Sequence, residues 1–152
     1  MNILAVETST ERCSVSLATL TTEIENHVIA PRGQATLVIK MAEEMLKQCD
    51  LKKSDLNAVA FGSGPGSFNG IRVAASFAHG VAMAQNINIV PCSTLHALAM
   101  TPNFTTSRNV LVISDARQSE VYWSCVRLSA EGQIDEIVVE NKVTKPSDVS
   151  VP

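Results

Sequence analysis

The chain has 152 residues, 45% of them hydrophobic and 18% charged, with a formal net charge of −3. That balance fits a globular protein with room for one full core and a little more, and it excludes the disordered and fibrous classes. The 12 Lys and Arg residues are scattered, with Lys52-Lys53 as the longest run, so no basic stripe exists with which the chain could grip nucleic acid by itself.

Ile3 to Val6 is a short apolar run that ends in the polar turn Glu7-Thr8-Ser9-Thr10. It carries no basic flank and is too short to read as a secretory leader. Cys13, Val15 and Leu17 then alternate with Ser14 and Ser16, which predicts a second strand joined to the first by a hairpin. Residues 23–30 supply a third strand, and Pro31-Arg32-Gly33 breaks the chain. Residues 34–49 have helical periodicity. Val38, Met41, Ala42, Met45 and Cys49 share one face, widened by Leu37, Ile39 and Leu46. Lys40–Glu44 and Glu43–Lys47 are candidate pairs of opposite charge on the polar stripe. Residues 57–61 read as a buried strand, followed by the loop Gly62-Ser63-Gly64-Pro65-Gly66-Ser67 and a second helix over 68–85. A strand over 87–91 and a short helix capped by Ser93 complete this part. The polar stretch 101–109 is the expected boundary, and strands restart over 110–114, 120–128 and 134–140. Three hairpin-linked strands followed by alternating helices and strands predict a mixed α/β sheet covered by helices. The expected organisation is one complete lobe over 1–104 and the incomplete start of a second over 105–152. About forty residues of strand cannot bury a core alone, so the chain reads as a shortened form of a longer two-lobed protein.

Four cysteines, Cys13, Cys49, Cys92 and Cys125, form no CxxC pair, which argues against zinc. Cys13, Cys92 and Cys125 lie in apolar runs and are expected to be reduced, buried thiols. No segment approaches membrane-spanning length, so the expected setting is cytoplasmic, with no membrane partner. His27, His79 and His96 are not at metal-binding spacing, and no nucleophile–base set can be argued from positions. Neither catalytic nor metal-ligating residues are therefore expected.

Three features could carry function. Glu7, Thr8 and Ser9 at a strand's C-terminal end could hold a cation or phosphates, or could simply satisfy a hairpin turn. Gly62, Gly64, Gly66 and Ser67 could aim backbone N–H groups at an anion before a helix, or could form a tight turn with Ser67 as N-cap. No Lys follows the glycines, so the Walker pattern is missing. The helix over 68–85 is apolar around nearly all of its circumference, with only Arg72, Ser76 and His79 as a polar stripe. Phe68, Ile71, Ala75, Ala78 and Ala82 form one line, and Val73, Phe77, Gly80 and Ala84 another, with Val81 between. Such a helix is buried on two sides. One side takes the sheet, and the other needs a second lobe or another protein. The expected partner interface is Val38, Met41, Met45, Val73, Phe77, Gly80, Val81 and Ala84.

The opening Ile3-Leu4-Ala5-Val6-Glu7-Thr8-Ser9-Thr10, the loop Gly64-Pro65-Gly66-Ser67-Phe68-Asn69-Gly70-Ile71-Arg72-Val73, Ser93-Thr94-Leu95 and the segment Asp115-Ala116-Arg117-Gln118-Ser119-Glu120-Val121-Tyr122-Trp123 together resemble the TsaB (YeaZ) family. That family serves threonylcarbamoyladenosine synthesis on tRNA. The resemblance implies an actin-like fold of ribonuclease H-like lobes. It implies a scaffold or activator role beside a TsaD-like catalytic subunit and a TsaE-like ATPase, acting on adenosine 37. It places ATP, ADP and metal in those partners, with no cofactor in this chain, and tRNA is met only through the complex. The metal-binding histidines of TsaD have no counterpart in residues 34–49. Subunit pairing through the helices matching 34–49 and 68–85 is also implied. Alone, the chain is expected to form a homodimer on the same surface, because exposed apolar patches of that extent are unusual on monomers. The alternative reading is an actin-like nucleotide-binding phosphotransferase that uses the Gly62–Ser67 loop.

Overall fold

Strand alternation sets up the first sheet. In the computed structural model, which describes residues 1–101 and 105–150, β1 (Ile3–Glu7) pairs antiparallel with β2 (Arg12–Ala18). Ile3 lies opposite Ala18, and Glu7 opposite Ser14. β3 (Glu23–Ile29) extends the meander. Gly33 takes the left-handed φ of 80° after the break, and α1 (Gln34–Gln48) carries the chain back, so β4 (Ala58–Gly62) lies parallel to β1. α2 (Phe68–Gln85) makes a second crossover, and β5 (Asn88–Cys92) lies parallel to β4. Parallel neighbours need such helical crossovers. The sheet order is β3-β2-β1-β4-β5, the ribonuclease H-like arrangement of an actin-like lobe.

One face of this sheet offers Leu4, Val6, Cys13, Val15 and Leu17, and α1 covers it with Val38, Met41, Ala42, Met45 and Leu46. This corrects three of the expected interface residues. Val38, Met41 and Met45 are 1%, 2% and 2% exposed. The apolar stripe of α1 is taken up by its own sheet, leaving nothing of those side chains for a partner. α2 meets the sheet through Gly70, Ala74, Ala78 and Ala82, one residue per turn. These small side chains let the helix approach closely. Phe68, which periodicity sets on one line with Ala78 and Ala82, is 67% exposed. Arg72 lies over the Phe68 ring at 3.7 Å. The expected pairing of Glu43 with Lys47 gives way to a tertiary pair, Glu43 with Lys53 at 2.8 Å.

α3 (Thr94–Ala99) is capped by Ser93, whose Oγ accepts from the His96 N–H at 3.3 Å. Leu95 and Ala99 pack with Val112, Val126 and Leu128. Those come from a second sheet, β6 (Arg108–Arg117), β7 (Glu120–Leu128) and β8 (Ile134–Thr144), in the antiparallel order β6-β7-β8. Trp123 is buried and donates its indole N–H to Thr144 Oγ1 at 3.0 Å. The chain divides into compact units at Met1–Cys92 and Ser93–Pro152. α3, expected in the first lobe, belongs to the second unit because its apolar face is covered there. The expected border at residue 104 lies outside the described residues.

All four cysteines are free; Cys13 and Cys125 are buried as expected, but Cys92 is exposed at the end of β5. Burial pushes the Cys13 and Cys125 thiols up. An ordinary thiol ionises near roughly 8.5, so above that pH the unfolded chain loses protons that the folded chain keeps, and stability falls. The urea midpoint should therefore drop as pH rises beyond about 8.5, and Cys13→Ala together with Cys125→Ala should flatten the drop. In the same assay at neutral pH, Met45→Ala should cost about 2–5 kcal/mol. Gly80→Ala, where an added Cβ meets nothing within 4 Å, should gain about 0.5–1 kcal/mol.

Candidate functional site

Glu7, Thr8 and Ser9 lie at the C-terminal end of β1, and the glycine loop leaves the same end of the neighbouring parallel strand β4, where Val6 lies beside Phe61. The fold thus brings together the two motifs the sequence singles out. Their contacts are with each other. Thr8 Oγ1 donates to the Gly70 carbonyl at 2.7 Å, and the Ser67 N–H donates to the Ser9 carbonyl at 2.6 Å. The Ser9 N–H donates to Glu7 Oε1. Ser67 Oγ accepts from the Gly70 N–H at 3.3 Å and caps α2. Ser63 ties the loop to β5, its N–H and Oγ both donating to the Cys92 carbonyl at 2.8 and 3.0 Å.

The glycines allow close approach. A Cβ on Gly62 would lie 1.9 Å from Glu7 Oε2, one on Gly66 2.6 Å from the Ser9 carbonyl oxygen, and one on Gly70 1.8 Å from the Thr8 carbonyl oxygen. Gly64 holds a left-handed φ of 94°. Thr8 and Ser9 are buried. These donors point at the chain's own oxygens, as a turn with an N-cap does. Gly70, which the sequence reading left outside the loop, is its tightest contact. The signal was its place one turn after Ser67 on the helix face that meets the sheet.

The second feature is a groove of about 220 Å³ between α1 and α2. Ile39, Ala42 and Leu46 line it from α1, and Phe77, Gly80, Val81 and Ala84 from α2. Gly80 and Ala84 are exposed, while Phe77 and Val81 are half-buried against the core. The Glu43–Lys53 pair stands at its rim. Four of the eight expected interface residues therefore meet here. Val73 is half-buried one turn before Phe77 and lies outside the groove. Ile39 also lines the groove, although on a helical wheel it only broadens the stripe that α1 buries. Among the described residues, no group of three or more His, Cys, Asp or Glu is placed to hold a metal ion. No described helix is long and apolar enough to cross a membrane.

A family model described as TsaD, tRNA N6-adenosine threonylcarbamoyltransferase, matches residues 22–151. The tRNA threonylcarbamoyladenosine biosynthesis protein TsaB of Haemophilus influenzae is 37% identical over 127 residues, 83% of this chain and 54% of the relative. TsaB of Escherichia coli is 36% identical over 137 residues, 90% of this chain and 57% of the relative. The solved structure of YeaZ from Pseudomonas aeruginosa matches with a TM-score of 0.91 at 33% identity, over 99% of this chain and 70% of that one. The chain belongs to the TsaB (YeaZ) family.

It is a TsaB-type member of the wider family that the TsaD model describes, with the actin-like fold that this implies. The chain spans just over half the length of the two curated TsaB relatives, 54% and 57%.

The glycine contacts give a direct test. Gly70→Ala places a methyl where only 1.8 Å is available to the Thr8 carbonyl oxygen. It should destabilise the chain by about 3 kcal/mol or more in chemical denaturation, in the range of severe core disruption.

Proposed function

We propose that this TsaB-type chain is a non-catalytic scaffold that docks a TsaD-like catalytic subunit through the α1–α2 groove, with a TsaE-like ATPase joining them, for threonylcarbamoylation of adenosine 37 in tRNA. The observation that carries this reading is the groove itself: an apolar floor with exposed Gly80 and Ala84, where a facing helix can come close. The names of the curated relatives, tRNA threonylcarbamoyladenosine biosynthesis proteins, supply the pathway. Nucleotide and metal then belong to the partner subunits, and tRNA is reached through the complex. A net charge of −3 with scattered basic residues supports that division. Alone, two copies pair through the same face, which covers the apolar groove.

The rival, a phosphotransferase using Glu7 and the Gly62–Ser67 loop, is disfavoured by the engagement of Thr8 Oγ1 and the Ser67 N–H with the chain's own carbonyls. Ala84→Glu puts a charge at an exposed position of the groove and should weaken binding of a TsaD-like partner at least tenfold in calorimetry. Far-UV circular dichroism should be unchanged. Phe77→Glu should abolish binding. Unaltered affinity in both variants removes the groove from the docking role, and tight binding of ATP and magnesium by the chain alone favours the rival.

A further inference from the structure

The first turn of α2 carries the one Asn-Gly step in the sequence, Asn69-Gly70. Asn is a thermolabile residue, and a following glycine has no side chain to shield its nitrogen from the Asn amide. Asn69 is exposed, so water reaches its side chain, whereas Gly70 is buried. Three contacts hold Gly70. Its N–H, one of the first helix donors that lack an intrahelical partner, donates to Ser67 Oγ at 3.3 Å. Its carbonyl accepts from Thr8 Oγ1 at 2.7 Å. Its Cα faces the Thr8 carbonyl oxygen, where an added Cβ would find 1.8 Å.

We propose that Asn69 is a self-modifying deamidation site, held shut while Gly70 is docked on β1 and opened when the first turn of α2 lifts from Thr8. In the reaction the Gly70 N–H gives its proton to hydroxide, and the nitrogen attacks Asn69 Cγ. The new C–N bond closes a succinimide ring as the Cγ–Nδ2 bond breaks and Nδ2 leaves as ammonia. Water then opens the ring. Attack at Cγ restores the main chain with aspartate at position 69, and attack at the Asn69 main-chain carbonyl carbon leaves isoaspartate. In the docked turn the Gly70 N–H is engaged by Ser67, and the ring can close only if Asn69 leaves helical φ and ψ. The same three contacts that fix α2 therefore suppress the chemistry, and local opening of that turn releases it. The two products differ in effect. Aspartate adds a negative charge near the helix N-terminus, which the macrodipole favours. Isoaspartate inserts a methylene into the main chain between Ser67 and Gly70, where the fit against Thr8 has no room for a shift.

The test follows ammonia release in mildly alkaline buffer and maps aspartate and isoaspartate in the tryptic peptide 54–72. The folded chain should deamidate at Asn69 about tenfold or more slowly than the same chain in urea, and Asn69→Gln should remove the fast release in urea. Ser67→Ala frees the Gly70 N–H and should speed the folded chain about fivefold, the change expected from losing one N-cap, with the rate in urea unaltered. Thr8→Val keeps the side-chain shape without the hydroxyl and should also speed it. Chain that has accumulated isoaspartate should show a lowered thermal midpoint, whereas Asn69→Asp should keep that of the unaltered chain. Equal rates at Asn69 in the folded chain and in urea overturn the proposal. Unchanged folded rates in both Ser67→Ala and Thr8→Val, with far-UV circular dichroism intact, overturn it too. Where a variant fails to fold, the ratio between folded and urea rates of the unaltered chain decides.

Discussion

The structure turns on how closely the end of β1 approaches the turn from β4 into α2. Glu7, Thr8 and Ser9 lie against Gly62, Gly66 and Gly70 at distances that no side chain could share. With the glycines bare, the Thr8 hydroxyl reaches the Gly70 carbonyl and the Ser67 N–H reaches the Ser9 carbonyl. Buried polar groups cost free energy unless paired, and here each turn satisfies the other. The parallel register of β1 and β4 and the start of α2 are thereby fixed together.

That anchoring settles what α2 can offer to the outside. Pinned at Gly70, the helix continues along the sheet on Ala74, Ala78 and Ala82. Residues without bulk keep it low, so its larger side chains fall on the flanks. Phe77 and Val81 lean toward α1, and the missing side chain at Gly80 leaves the groove open between them. A glycine at this exposed helix position costs intrinsic stability, and the groove gives it a physical reason.

The two units repeat a theme. Each contains an antiparallel meander in which a carboxylate near the end of the first strand accepts the N–H two residues on: Glu7 from Ser9 and Asp115 from Arg117. The first unit goes on to add two crossovers and two parallel strands, and its first strand becomes central. The second has α3 over one face, and among the described residues β6 pairs with β7.

Most of the fold was legible from the chain itself. Alternation of Cys13, Val15 and Leu17 with serines marks β2, and Ser67 and Ser93 mark two helix starts, because these signals act within one turn or one strand. The family was legible too, from glycine and carboxylate motifs in fixed order. Tertiary structure decided which apolar residues stay available. Val38, Met41 and Met45 look equivalent in sequence to Phe77 and Val81, yet the sheet takes the first three and leaves the groove to the others. Periodicity tells that a face is apolar but not what covers it, and coverage depends on residues distant in the chain. For the same reason, the sequence leaves the glycine loop open between an anion cradle and a tight turn, and its close contacts with Thr8 and Ser9 appear only when β1 is laid beside it.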